Sequence, residues 1–550
     1  MIYLRQRTPE FWKSVLNNPK YADLINDFKA GYEETCDKAL EPLLVSKYNL
    51  YNETGDRGAY ENDYFARRKL LTRAMVLSLL YPKNTEYFEK LEAVMWAICD
   101  EFNWVLPAHN STHKIDLCSS ETGLLLVEAI AFLGERIDCT LMQRVMEEVK
   151  NRVIDIYESN EFVWEKYTSN WTAVCTGCVA ITMMYAFPDA LERSMPRIEK
   201  ASEVFLSGFS DEGVCFEGPT YWGYGFGNYI YLADALFEYT KGSVNLFELD
   251  KVKKIAEYPK YSVLCGGAAV SFSDSSRFAR FSRGLVNCLS KRYKADSFIA
   301  DEYLIYSMPQ GNFQNAVIRT FLFSDDASIS AGTVKHNYFL PTAAQMIFNK
   351  KNYSFAIKAG NNAELHNHND IGSFIFADSD GQAICDLGAG FYSKDYFSDK
   401  RYDTICTSSL GHNVPIINSK SQSPGKEFFG KIVADDNEAT IDFASAYNVP
   451  DISLIRKVVA NEDGVLLIDE FDGEIESYVS RLVTLREPKV FENMISLGKT
   501  VIIFNDNASL NIEKATHKNS VGNIENVWLL DFKVKNISEG HCRLEIKLAD

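Results

Sequence analysis

The chain has 550 residues, with 57 Lys plus Arg against 75 Asp plus Glu and a formal net charge of −18. That length exceeds what one hydrophobic core supports, so two or more domains are expected. The negative balance argues against nonspecific binding to nucleic acid or to anionic membranes, and a polyanionic substrate would need a locally basic cleft. The opening stretch "MIYLRQRTPEFWKSVLNNPKYADL" lacks the apolar run of a signal peptide, and no stretch reads as long enough to span a membrane. A cytoplasmic location is therefore expected. The twelve cysteines are scattered, and the close pair Cys175 and Cys178 lies in a helical pattern with no second pair to complete a zinc site. They read as buried thiols in a reducing compartment.

From the start to about residue 310 the periodicity is helical. "RRKLLTRAMVLSLLYP" sets Leu70, Leu71, Ala74, Leu77 and Leu80 three and four apart and stops at Pro82. "CSSETGLLLVEAIAFLGERID" repeats the scheme, with Ser119 or Ser120 as the expected cap and an apolar run through Phe132. Such helices joined by polar turns suggest hairpins packed as a bundle, solenoid or toroid. After about residue 330 come short runs rich in Val, Ile and Phe, including "AAQMIF", "YSFAIKA", "GSFIFA" and "GQAICDLG". "SLIRKVVANEDGVLLIDEF" reads as a hairpin around Asn461, Asp463 and Gly464. A helical domain at 1–320 and an antiparallel β-sandwich at 321–550 are expected.

The chain has eight histidines, and "ELHNHND" places His366 and His368 two apart with Asp370 two further on. If this stretch is extended, all three side chains share a face and begin a metal or catalytic cluster. The alternative is a polar loop whose histidines hydrogen-bond locally. Four further stretches carry chemistry-bearing residues: "TSNWTAVC" with Asn170, "DEGVCFEGPTYWGYGFGNY" with Glu217, Tyr221 and Tyr224, "ICDLGAGFY" with Asp386, and "RYDTICTSSLGHNVP" with Arg401 and His412. Read singly, Asn170 is a helix cap and Tyr221 a wall aromatic.

In this order, over roughly residues 60 to 420, these elements resemble the heparinase II/III-like polysaccharide lyases. The resemblance implies an incomplete (α/α) toroid followed by an antiparallel β-sandwich, an active site between them, and β-elimination at a uronic acid. Asn170 would then neutralise the uronate carboxylate with help from His366, which such a reaction requires because the C5 proton lies beside an existing negative charge. Tyr221 would protonate the leaving O4 and, for one epimer, also take the C5 proton, with His366 as the other candidate base. His368, Asp386 and His412 match metal ligands, and two imidazoles with one carboxylate suit Zn2+ in a site-supporting role. Asp370 is either a fourth ligand or a partner of the backbone at the turn into "IGSF".

Arg67, Arg68, His109, Tyr224 and Arg401 are expected to bind an acidic oligosaccharide or polysaccharide, and Glu217 to orient the Tyr221 loop. Glycosaminoglycan is the favoured substrate, with alginate or another polyuronate as the runner-up; a homodimer is left open. Glycoside hydrolysis would need two flanking carboxylic acids instead, and a binding protein on the same scaffold is the third reading. "GHNVP" carries Val414 where the family pattern often has a hydroxyl.

Overall fold

The computed structural model describes residues 2–109, 114–294, 299–306, 314–323 and 336–549. The chain forms two units, each assembled from separate pieces: 1–208, 221–253 and 280–331 in one, and 209–220, 254–279 and 332–550 in the other. The single expected boundary near residue 320 thus leaves out two early segments, 209–220 and 254–279, that belong with the strands. Both carry buried polar residues, such as Glu217 and Asp274.

The first unit is helical. Gly58–Leu80 is its longest helix and buries the expected Leu70, Leu71, Ala74, Leu77 and Leu80. Tyr81 leaves the helical region at φ −123°, ψ 65° ahead of Pro82, which disfavours helical geometry in the residue before it. Leu117–Leu133 starts earlier than Ser119 or Ser120 would allow. Its cap is Asp116, whose side chain accepts from the Ser119 N–H at 2.7 Å while Ser119 Oγ accepts from the Asp116 N–H at 2.9 Å. The stretch Leu117–Arg136 has the length and apolarity of a membrane span, contrary to the sequence expectation, but 72 % of that window is buried, as in a core helix. Arg319 and Glu128, 2.7 Å apart with no side-chain exposure, tie Gln314–Leu322 to it.

The second unit is an antiparallel β-sandwich of nine-, four- and five-stranded sheets. The turn at Asn461 and Gly464 joins Ile452–Ala460 to Gly464–Gly473 as expected, with the Asn461 N–H donating to the Gly464 carbonyl at 2.8 Å. Ile452–Ala460 alternates buried and half-buried positions, the period of a strand with one face inward. Phe355 and Phe374 from the five-stranded sheet, Leu467 and Ile546 from the nine-stranded one, and Leu482 and Phe532 from the four-stranded one share one core. Inside it Arg456 makes a bidentate pair with Asp469 at 2.6 and 2.7 Å, and its Nη1 also donates to the Gly372 and Asn413 carbonyls. A buried ion pair of this kind holds two loops in register more than it adds stability. The loops are those that follow Asp370 and His412.

Candidate active site and metal centre

Within the β unit the "ELHNHND" stretch is a turn, not extended. His366 has φ +53°, a left-handed conformation that costs a non-glycine residue energy and is kept where surrounding contacts over-determine it. The two imidazoles therefore do not share a strand face; they converge on Asp274. His366 Nδ1 lies 2.8 Å from Asp274 Oδ2, and His368 Nε2 lies 3.0 Å from Asp274 Oδ1. Glu217 Oε2 is 3.3 Å from His366 Nε2. Burial alone would lower the His366 pKa; the hydrogen bond to Asp274 and the Glu217 charge outweigh it and raise it.

Asp274 is fully buried. Burial would raise its pKa, but the bonds from His366 and His368 and the charges of His368 and Arg401 hold it well below the carboxylate range. No motif marks it in the sequence: it is a lone Asp in "SFSDSSRF". Arg401 donates from Nη2 to Asp274 Oδ2 at 3.0 Å and to the Asn367 carbonyl at 3.0 Å, and lies over the Tyr396 ring. Expected at substrate, this guanidinium is engaged inside the β unit.

A second cluster stands beside the first. His368, Asp370, Asp386 and His412 are buried, with one ligand atom from each lying within 4.8 Å of all the others. Each residue has its outer atom occupied and its inner atom bare. His368 Nε2 is taken by Asp274, His412 Nε2 by the Cys406 carbonyl at 2.8 Å, and Asp370 Oδ1 by Lys358 Nζ at 2.8 Å. Asp386 Oδ1 accepts from the Gly388 N–H at 2.8 Å. His368 Nδ1, Asp370 Oδ2, Asp386 Oδ2 and His412 Nδ1 have no hydrogen-bond partner, although His412 Nδ1 and Asp386 Oδ2 approach to 3.1 Å. Buried orphan atoms are costly, and these converge. An acceptor at each Nε2 fixes the proton there and turns the Nδ1 lone pair inward, as in metal sites whose outer shell orients the ligands. The donor set of two imidazoles and two carboxylates fits a divalent cation. Asp370 thus offers a fourth donor atom to the cluster; at the turn into "IGSF" it is its backbone carbonyl that accepts from the Ser373 N–H.

The "GHN" motif has a local cause. A Cβ at Gly411 would lie 2.1 Å from the Ile405 carbonyl, so only glycine allows the approach. Asn413 donates to the Phe374 and Cys385 carbonyls at 2.6 and 2.9 Å and accepts from the Val483 N–H, which anchors His412 beside Asp386. Val414, with no exposure, packs into the core.

In the helical unit Asn170 opens the helix Asn170–Ala186 with 2 % exposure, and Ser169 holds the cap position. Tyr221 precedes a π-helical turn, Trp222–Phe226, a distortion common at functional sites. A Cβ at Gly225 in that turn would lie 3.1 Å from both Cα and Cβ of Asn170, so the glycine brings the Tyr221 segment against Asn170. His109, half-buried, bonds Asp116 Oδ2 at 2.9 Å and stands edge-on to Trp171 at 4.8 Å.

Three expected substrate residues are structural. Arg68 chelates Glu101 at 2.7 Å through both terminal nitrogens and covers the Tyr64 ring, and Arg67 donates to Glu101 and to the Ala39, Ala97 and Glu41 carbonyls. Their exposures of 3 % and 5 % leave no face for a sugar. Helical periodicity placed them correctly but could not show that Glu101, thirty-odd residues on, takes their charge. Tyr224 is buried in the helical unit, and burial raises its phenol pKa well above the ordinary value.

No family model matches the chain, and no curated protein matches it in sequence. Solved structures do. Heparinase III superposes with a TM-score of 0.63 at 12% identity over 94% of this chain and 84% of its own. The heparan sulfate lyase HepC from Pedobacter heparinus gives 0.61 at 13% identity over 94% and 83%. The chondroitin AC lyase of Streptomyces coelicolor A3, in complex with chondroitin sulphate, gives 0.58 at 10% identity over 100% and 83%. The fold, a helical (α/α) toroid-type unit with an antiparallel β-sandwich, is the polysaccharide lyase fold.

Proposed function

We propose that the protein is a carbon–oxygen lyase that cleaves uronic-acid-containing glycans by β-elimination, with glycosaminoglycan oligosaccharides as the substrate class. The observation that carries this reading is the pairing of His366 with two carboxylates in a left-handed turn beside a four-donor cluster. The lyase fold supports it, as does the Asn170 and Tyr221 arrangement around Gly225.

Asp274 holds His366 Nδ1 and Glu217 stands at Nε2, so the imidazole would donate to a uronate carboxylate from Nε2 by exchanging Glu217 for the substrate. Tyr221, acting as its phenolate, then removes the C5 proton. The C5–H electrons form the C4–C5 double bond, the C4–O4 bond breaks, and the departing oxygen takes the proton back from Tyr221. Zn2+ held by His368, Asp370, Asp386 and His412 would supply a fixed positive charge that keeps these loops in place. Glu217 orients His366 and transfers no proton.

Ultraviolet absorbance during incubation with heparan, chondroitin, hyaluronan and alginate oligosaccharides tests the proposal. A rise from the conjugated C4–C5 double bond on at least one substrate, lost in Tyr221→Phe, is expected. New reducing ends without absorbance would replace elimination by hydrolysis.

A further inference from the structure

Asp274 belongs to both clusters of the β unit. Its Oδ2 faces His366 Nδ1 and its Oδ1 faces His368 Nε2, while His368 presents its bare Nδ1 to the donor cluster. We propose that Asp274 is a positioning residue that couples occupancy of the metal centre to the placement of His366, through the chain His366–Asp274–His368. The assignment of His366 as the substrate-facing histidine rests on the reading above; the coupling itself does not.

The carboxylate can shift only together with its donors. It also accepts from the Tyr396 hydroxyl and from Arg401 Nη2, so four donors converge on two oxygens, close to the number of lone pairs available. The Tyr396 oxygen in turn accepts from the Gly390 N–H at 3.2 Å. The backbone beneath Asp274 is equally constrained. Ser273 has φ +70°, and the Ser275 N–H donates to the Ser273 carbonyl at 2.7 Å, a tight turn that a non-glycine residue holds only under load from its surroundings.

The load comes from the Asp386 loop. The Ala389 N–H donates to the Ser275 carbonyl at 3.0 Å, and a Cβ at Gly388 would lie 2.2 Å from that same oxygen. Gln382 bonds the Ser271 hydroxyl at 3.0 Å. Asp274 therefore stands on a segment pinned to the loop that carries one metal donor, and it touches a second donor directly. A cation held by His368 Nδ1 with Asp386 and His412 would fix the orientation of the His368 ring. The ring carries Nε2 and, through the Asp274 carboxylate, the Nδ1 partner of His366. Outer-shell carboxylates of this type change metal affinity by ~10–100-fold when removed.

The test uses the full chain with 15N-labelled histidine and Zn2+ as the probe, and it needs no substrate. In the wild type, adding Zn2+ is expected to shift the ring resonances of His366, identified by their loss in His366→Gln. In Asp274→Asn the His366 shift should vanish and Zn2+ affinity, read by competition with a chromophoric chelator, should fall at least tenfold. Tyr396→Phe removes a donor to the same carboxylate without touching either imidazole, and it should keep both the shift and an affinity within threefold of wild type. Absence of the shift in the wild type overturns the proposal, as does its persistence in Asp274→Asn. Failure of lyase activity on every glycan alongside an intact shift would overturn the functional reading and leave the coupling standing.

Discussion

Glu121, in the helix Leu117–Leu133, is 7 % exposed, and burial lifts its carboxyl from 4.5 to about 8, with the Asn315 N–H and the Arg319 charge opposing and Glu128 adding to the rise. Its folded state therefore holds a proton that the unfolded chain releases near pH 4.5. The stability this group contributes is complete below that pH and is lost as pH rises through about 8. A rise of three and a half units at 1.36 kcal/mol per unit corresponds to about 5 kcal/mol. Glu121→Gln keeps a carbonyl oxygen for the Asn315 N–H, 3.1 Å away, and removes the titration. Denaturant unfolding of wild type and variant between pH 4.5 and 8 isolates the effect, because every other group titrates equally in both. The variant should gain on wild type steadily across that range, by about 4–5 kcal/mol in total. A difference that stays flat with pH would refute a protonated Glu121 and the buried environment inferred for it.

Arg68→Ala should lower stability, by less than the ~3–5 kcal/mol of a wholly unpaired buried charge, because Arg67 still donates to Glu101, which is 1 % exposed. KM for any glycan that is turned over should stay within twofold; an unchanged melting temperature with a raised KM would return Arg68 to substrate binding. Metal binding to the four-donor cluster should weaken toward acid pH and release protons. Asp386 raises the pKa of His412, so protons compete from a higher pH than at an ordinary imidazole. Proton release measured during Zn2+ titration at pH 6 and pH 8 checks this, and equal affinity at the two values would count against the assigned ligands.

What the sequence made legible followed local rules. The helix at Leu70 to Leu80 and the hairpin at Asn461 to Gly464 are set by periodicity and turn chemistry, which act within a few residues. The clustering of His368, Asp386 and His412 was legible because motif residues mark them, and the structure adds Asp370 through its orphan Oδ2. Asp274 was not, because its partners lie 92 and 94 residues ahead in the chain and nothing nearby distinguishes it from a loop aspartate. Arg67 and Arg68 show the converse failure. A basic pair beside a family-like segment reads as a cleft until the buried acid that neutralises it is located, and that acid sits on no shared motif.

The division of the chain into interleaved pieces restricts how such a protein can be cut, shuffled or inherited. A fragment beginning at residue 332 would carry His366 and all four residues of the donor cluster yet lack Glu217 and Asp274, which come from the earlier segments 209–220 and 254–279. On the ribosome, the carboxylates emerge long before the histidines they are to hold. Recombination at the apparent helix-to-strand junction would separate the histidines from their orienting acids, so the β unit of this architecture is not a transferable cassette.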